Sequence, residues 1–132
     1  MKNSKILELK DAESIVEKVL KKAEEENLSV AVSVVDAGGH LILFKKMDGT
    51  QIRSIDIAIK KAQTSLFYKR PTKAFQDGIE SGNSGLMSLP DVLPFEGGVP
   101  VEAGGEIIGA VGVSGATPQQ DGEIAKFGID AI

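Results

Sequence analysis

Seven of the fifteen glycines in this 132-residue chain fall in one stretch: Gly97, Gly98, Gly104, Gly105, Gly109, Gly112 and Gly115. That stretch constrains the fold more than any other. Gly104-Gly105 joins two apolar runs, Val99 to Ala103 and Glu106 to Val113, and a two-glycine connection between such runs is a hairpin signal. Pro100 cannot donate to a ladder, so its strand belongs at an edge or at the start of pairing. Gly109 and Gly112 lie inside the second strand. Glycine there marks a place where another backbone, a helix or a ligand approaches closely.

The rest of the chain reads around that hairpin. Ala12, Ile15, Val16, Val19, Leu20 and Ala23 recur at helical spacing, with charges opposite them, and predict an amphipathic helix over about 11–26 capped by Asp11. Glu24, Glu25 and Glu26 stand at its negative end, where they oppose the dipole. Val30 to Val35 and Leu41 to Phe44, joined through Asp36-Ala37-Gly38-Gly39-His40, predict another hairpin. Ile52, Ile55, Ile59, Ala62 and Leu66 predict a helix over about 52–69, stopped by Pro71. Thr72 caps a short helix carrying Phe75 and Ile79, and residues 78–85 form a loop. Leu86 to Phe95 offers a further short strand. Thr117-Pro118-Gln119-Gln120 opens the last helix as a capping box with proline at the first position. That helix runs to the chain end with Ile124, Ala125, Gly128 and Ala131 inward. Strands paired by tight turns with helices packed on them make one α+β domain over 1–132, without linker or repeat.

Composition removes several functions. Fifteen basic against nineteen acidic side chains give a net charge of −4, unlike the basic excess of a generic nucleic-acid binder. Cysteine is absent, so there is no disulfide, thiolate metal site or cysteine nucleophile. A single histidine excludes any site that needs two imidazoles from one chain. No segment resembles a signal peptide or approaches the roughly 20 apolar residues of a membrane span. The expectation is a soluble, cytoplasmic protein.

Few residues remain to carry chemistry. The spacing of Gly109, Gly112 and Gly115 is not a dinucleotide fingerprint, and no parallel βαβ unit surrounds it. Ser114 and Thr117 flank a strand-to-helix junction whose N–H groups can hold a carboxylate or phosphate, although simple capping by Thr117 also accounts for it. Ser114 has no visible base beside it. His40 can serve as an axial haem ligand, which takes one protein nitrogen, or can be an exposed turn residue. Lys45, Lys46, Arg53, Lys60, Lys61, Lys69 and Arg70 can pair with a ligand carboxylate or form a solvated face. Asp36, Asp48 and Asp121 are candidate acid–base or metal groups whose distances in space the sequence leaves open.

Val34-Val-Asp-Ala-Gly-Gly-His-Leu-Ile, Lys46-Met-Asp-Gly, Lys61-Ala, Gly97-Gly-Val-Pro-Val, Gly105-Glu-Ile-Ile-Gly-Ala-Val-Gly-Val-Ser-Gly-Ala and Gln120-Asp121 follow one another along the chain. Taken in that order they resemble the GlcG/HbpS-like family, which includes the C-terminal domain of PduO proteins. The likeness covers about residues 7–132. It implies a profilin-like α/β/α arrangement with a five-stranded antiparallel sheet, and homo-oligomers from dimer to octamer. Haem or a corrinoid such as cobalamin is the implied ligand, with a role in haem handling or in cobalamin-dependent or glycolate metabolism. The expected ligand-binding residues are His40, Arg53, Lys61, Phe67, Gly97, Gly98, Pro100 and Ser114, with His40 as a candidate metal ligand. A small enzyme acting on a hydroxylated or carboxylated metabolite, and a non-catalytic assembly partner in a metabolic complex, are the alternative readings.

Overall fold

The computed structural model describes residues 5–130. Helix α1 spans Leu9–Glu25, strands β1 and β2 span Ala31–Asp36 and Leu41–Lys46, and helices α2 and α3 span Ser54–Tyr68 and Lys73–Glu80. Strands β3 and β4 follow at Gly98–Ala103 and Glu106–Ser114, then helix α4 at Pro118–Ile129. The sheet is wholly antiparallel in the order β2-β1-β4-β3. Both hairpins are where the glycine pairs place them. Gly104 and Gly105 both take positive φ, 59° and 81°, as a two-residue hairpin turn of the favoured twist requires.

Alternation along the strands builds two cores. Val30, Val32 and Val34 from β1 and its approach, with Val111 and Val113 of β4, face α1 and α4, where Ile15, Val16, Val19 and Ile124 are buried. Val35 and Ala110 face α2 and meet Ala62 and Leu66. On that second face the layers touch backbone to backbone. A Cβ on Gly112 would overlap the Ala58 carbonyl, and one on Gly98 would overlap the Lys61 carbonyl. The glycines inside the strands are therefore the price of seating α2 directly on the sheet.

Several expectations need correction. The sheet has four strands among the described residues, not five. Residues 86–95 do not form a strand: Ser84–Ser88 is a 3₁₀ turn, and Pro90, Pro94 and the left-handed Asp91 (φ 59°) prevent a ladder from continuing. The segment lies as a strap along α2, tied by hydroxyls. Thr64 Oγ1 donates to the Asp91 carbonyl at 3.1 Å and accepts from the Leu93 amide at 3.0 Å, while Tyr68 Oη donates to the Pro90 carbonyl. Helix α1 begins two residues before Asp11, whose carboxylate reaches back to the Glu8 amide at 2.9 Å from within the first turn. Thr72 stands at the start of α3 without capping it. Its hydroxyl accepts from the Gly98 amide at 2.9 Å and so occupies an outward N–H of edge strand β3. The Thr117–Gln120 capping box is present as expected. Ala131 lies outside the described residues.

Candidate functional site

The expected site residues separate into three places. The first is the β1–β2 turn. Asp36 Oδ1 accepts from the Gly38 amide at 2.9 Å and the His40 amide at 3.0 Å, an arrangement that shapes the turn. The His40 amide holds the Asp36 carboxyl below its ordinary value; desolvation opposes it, and the Gly38 amide and the imidazole add to the lowering. His40 Nδ1 stands 3.5 Å from the same carboxylate oxygen, and the imidazole is 84% exposed. Phe67, half-exposed on α2, lays its ring on Gly39 so closely that a Cβ there would overlap it. Gln63 Nε2 donates to the Gly39 carbonyl at 3.1 Å and fixes the turn against the helix.

The second place is interior. Lys61 points under the sheet edge, where its ammonium donates to the Val113 carbonyl at 3.0 Å and to Asp121 Oδ2 at 3.1 Å. Both side chains are almost wholly enclosed. Asp121 Oδ1 also accepts from the Ala116 amide at 3.0 Å, so one carboxylate clasps the β4–α4 junction and receives the lysine. Burial pushes Lys61 down and Asp121 up, each against the attraction of its partner. Gly97, with φ at 139°, leaves the space that the Lys61 ammonium fills. Lys61, Gly97 and Gly98 are thus brought together. Ser114 is buried nearby at the end of β4, its Oγ donating to Ser54 Oγ at 3.3 Å.

The third place is the outer side of β3. Gly97, Gly98 and Pro100 line a cavity of about 510 Å³ between β3, the start of α3 and α4, with Lys73, Glu96 and Lys126 around it. Glu96 lies over Gly122, and burial raises its carboxyl above the ordinary value. Arg53 joins none of these groups. It is exposed before α2, 3.5 Å from Asp56, at the opposite end of the helix from Phe67.

In the sequence Asp121 stands among several loose carboxylates and in the Gln120-Asp121 pair, Thr72 reads only as a helix cap, and nothing singles out Thr64 or Ser54. The available signal was helical spacing: Lys61 falls on the same inward face as Ala58, Ala62 and Ser65. Among the described residues no group of three or more His, Asp or Glu side chains could hold a bare metal ion, and no helix is long and apolar enough to cross a membrane. A macrocycle that brings its own ligands asks less. One exposed imidazole, with Nδ1 3.5 Å from the Asp36 carboxylate, can supply the protein's share of such a group.

Fold and site define an α+β domain with one exposed imidazole and a sheet backed closely by helices on both faces. The profile described as "Haem degrading protein HbpS-like" matches residues 7–130, and the chain belongs to that family. It is 38% identical over 114 residues to Protein GlcG of Escherichia coli K12, covering 86% of this chain and 85% of GlcG. It is 32% identical over 130 residues to the corrinoid adenosyltransferase PduO of Salmonella typhimurium, covering 96% of this chain but 39% of PduO. The crystal structure of a PduOC–haem complex superposes with a TM-score of 0.89 at 31% identity, covering 97% of this chain and 96% of that one.

Proposed function

We propose that this protein binds haem on its surface through His40, as a homo-oligomer in the cytoplasm, and serves in haem handling. The observation that carries this reading is the β1–β2 turn: an exposed imidazole beside the Asp36 carboxylate, next in the chain to a glycine covered by the Phe67 ring. An axial nitrogen and an aromatic face are what a haem asks of one side of its site. The haem complex of a relative with the same fold supports the same ligand class. When bound, the haem would supply the redox-active iron, and this chain would supply the axial nitrogen and apolar cover. Lys61, Gly97, Gly98 and Ser114 hold the sheet and helices in register behind that face.

The test is titration of the purified protein with hemin, and in parallel with cobalamin, followed by absorbance. A saturable Soret change with hemin, altered in His40→Ala, is the expected result. No saturable change with hemin rejects the reading. Saturation by cobalamin alone moves the ligand to the corrinoids named in the PduO relative. A hemin spectrum identical in His40→Ala removes His40 from the iron. Light scattering at micromolar concentration checks the assembly, and a strict monomer contradicts it.

A further inference from the structure

The outward stripe of α2 has a second feature beside Phe67. Lys60 and Phe67 are seven residues apart, two helical turns, so they lie on one face about 10 Å apart along the axis. Gln63 leans from that stripe to the β1–β2 turn, while Thr64 and Tyr68 lean from it to the strap. The stripe therefore runs between the Gly39–His40 turn on one side and residues 89–93 on the other. The strap side encloses about 360 Å³ lined by Lys60, Gln63, Leu89, Asp91, Val92 and Leu93.

Lys60 is exposed and forms no ion pair among the described residues, as is also true of Lys45, Lys46, Lys69 and Lys126, but of these it alone lines the cavity beside the strap. Asp91 is the opposing charge on the strap. A flat apolar ligand lying on Phe67 with carboxylate arms would bring those arms along the stripe to an unpartnered ammonium.

We propose that Lys60 is the residue that pairs with the carboxylate side chains of the haem, on the outward stripe of α2 between the β1–β2 turn and the strap. This rests on the haem reading above, and it assigns the cationic role to Lys60 rather than to Lys61 or Arg53. Lys60 binds and orients; it takes no part in bond making.

The experiment compares hemin with hemin dimethyl ester, whose arms carry no charge, on the wild type and on Lys60→Gln, Lys60→Glu and Asp91→Asn. Lys60 is exposed, and Asn accepts the left-handed backbone of Asp91, so the variants keep the fold. A rim ion pair of this kind changes affinity by roughly three- to fivefold. The expected results are a rise of that size in the hemin Kd for Lys60→Gln, a larger rise for Lys60→Glu, and a small fall for Asp91→Asn. The ester Kd should not move in any of them. Added salt should weaken hemin binding by the wild type more than by Lys60→Gln. Equal hemin affinity in wild type and Lys60→Gln overturns the assignment while leaving haem binding intact. Equal losses of hemin and ester in Lys60→Gln also overturn it, because the lysine would then act by packing. If the wild type does not bind hemin at all, the haem reading fails and this assignment falls with it.

Discussion

The ammonium of Lys61 and the carboxylate of Asp121, sixty residues apart in the chain, meet 3.1 Å apart in the interior. The lysine comes from the middle of α2 and the aspartate from the first turn of α4, on opposite sides of the sheet edge. Val113 O and the Ala116 amide complete the cluster, so the pair pins β4 and the β4–α4 junction to α2. Burial works against both charges, and the arrangement is held because each compensates the other.

Removing one partner should therefore cost more than removing both. Lys61→Met leaves a buried carboxylate without its cation and should lower stability by about 3–5 kcal/mol. Lys61→Met/Asp121→Asn keeps an acceptor for the Ala116 amide and has no stranded charge. In urea denaturation the double variant should lose less than Lys61→Met alone, and so less than the sum of the Lys61→Met and Asp121→Asn losses. Strict additivity would show that the two groups are not coupled.

A methyl group at Gly112 should be tolerated far less than one at Gly104. At Gly112 the added carbon meets the carbonyl of Ala58, which also accepts from Ser33 Oγ at 2.8 Å and belongs to the helix backbone. Neither layer can yield, so Gly112→Ala should cost at least about 3 kcal/mol, the upper end of overpacking. At Gly104 the space is open and only the positive φ opposes a side chain, so Gly104→Ala should cost about 1–2 kcal/mol. Thermal melting of the two variants checks the order.

Much of this architecture is legible in the sequence because its determinants are local. The 3.6-residue period locates α1 and α2, the paired glycines locate both hairpins, and Thr117 to Gln120 locates the start of α4. Asp36, Gly39 and His40 lie within five residues of one another, so the turn that carries the imidazole could be placed from sequence. What was hidden depends on distant partners. Lys61 reads as one of several basic residues until Asp121 arrives beside it. Thr72 reads as a cap until Gly98 claims its hydroxyl. Residues 86–95 have the apolar content of a strand, but Thr64 and Tyr68 on α2, more than twenty residues earlier, hold them in another shape. The empty ammonium of Lys60 is visible only once its neighbours' partners are known.

The turn at Asp36 should give a defined pH dependence. Its folded carboxyl lies below the ordinary value, so it binds protons less readily in the folded chain than in the unfolded one. Its charge therefore contributes stability above the unfolded value of 3.8, and that contribution is lost as pH falls through the folded value. Asp36→Asn keeps an acceptor for the Gly38 and His40 amides but not the charge. Urea midpoints of wild type and Asp36→Asn should differ at neutral pH and converge in acid. A difference that persists or grows in acid would assign the effect to something other than this carboxylate.

The strap offers a test that separates local from global order. Thr64 Oγ1 is both donor to Asp91 and acceptor from Leu93, so a single hydroxyl supplies two of the bonds that hold residues 89–93 on α2. Valine has nearly the same shape but can make neither bond. Because the strap lies at the surface, water replaces much of what is lost, and Thr64→Val should cost only about 1 kcal/mol of global stability. The local effect should be larger. The strap is joined to the rest by few other bonds and exposes Met87, Leu89 and Phe95, so its release should give rapid limited proteolysis between residues 86 and 95 while the sheet stays intact. Tyr68→Phe, which removes one bond at Pro90, should show a smaller effect of the same kind. Unchanged cleavage in Thr64→Val would mean that the strap is held by its apolar contacts and not by the threonine latch.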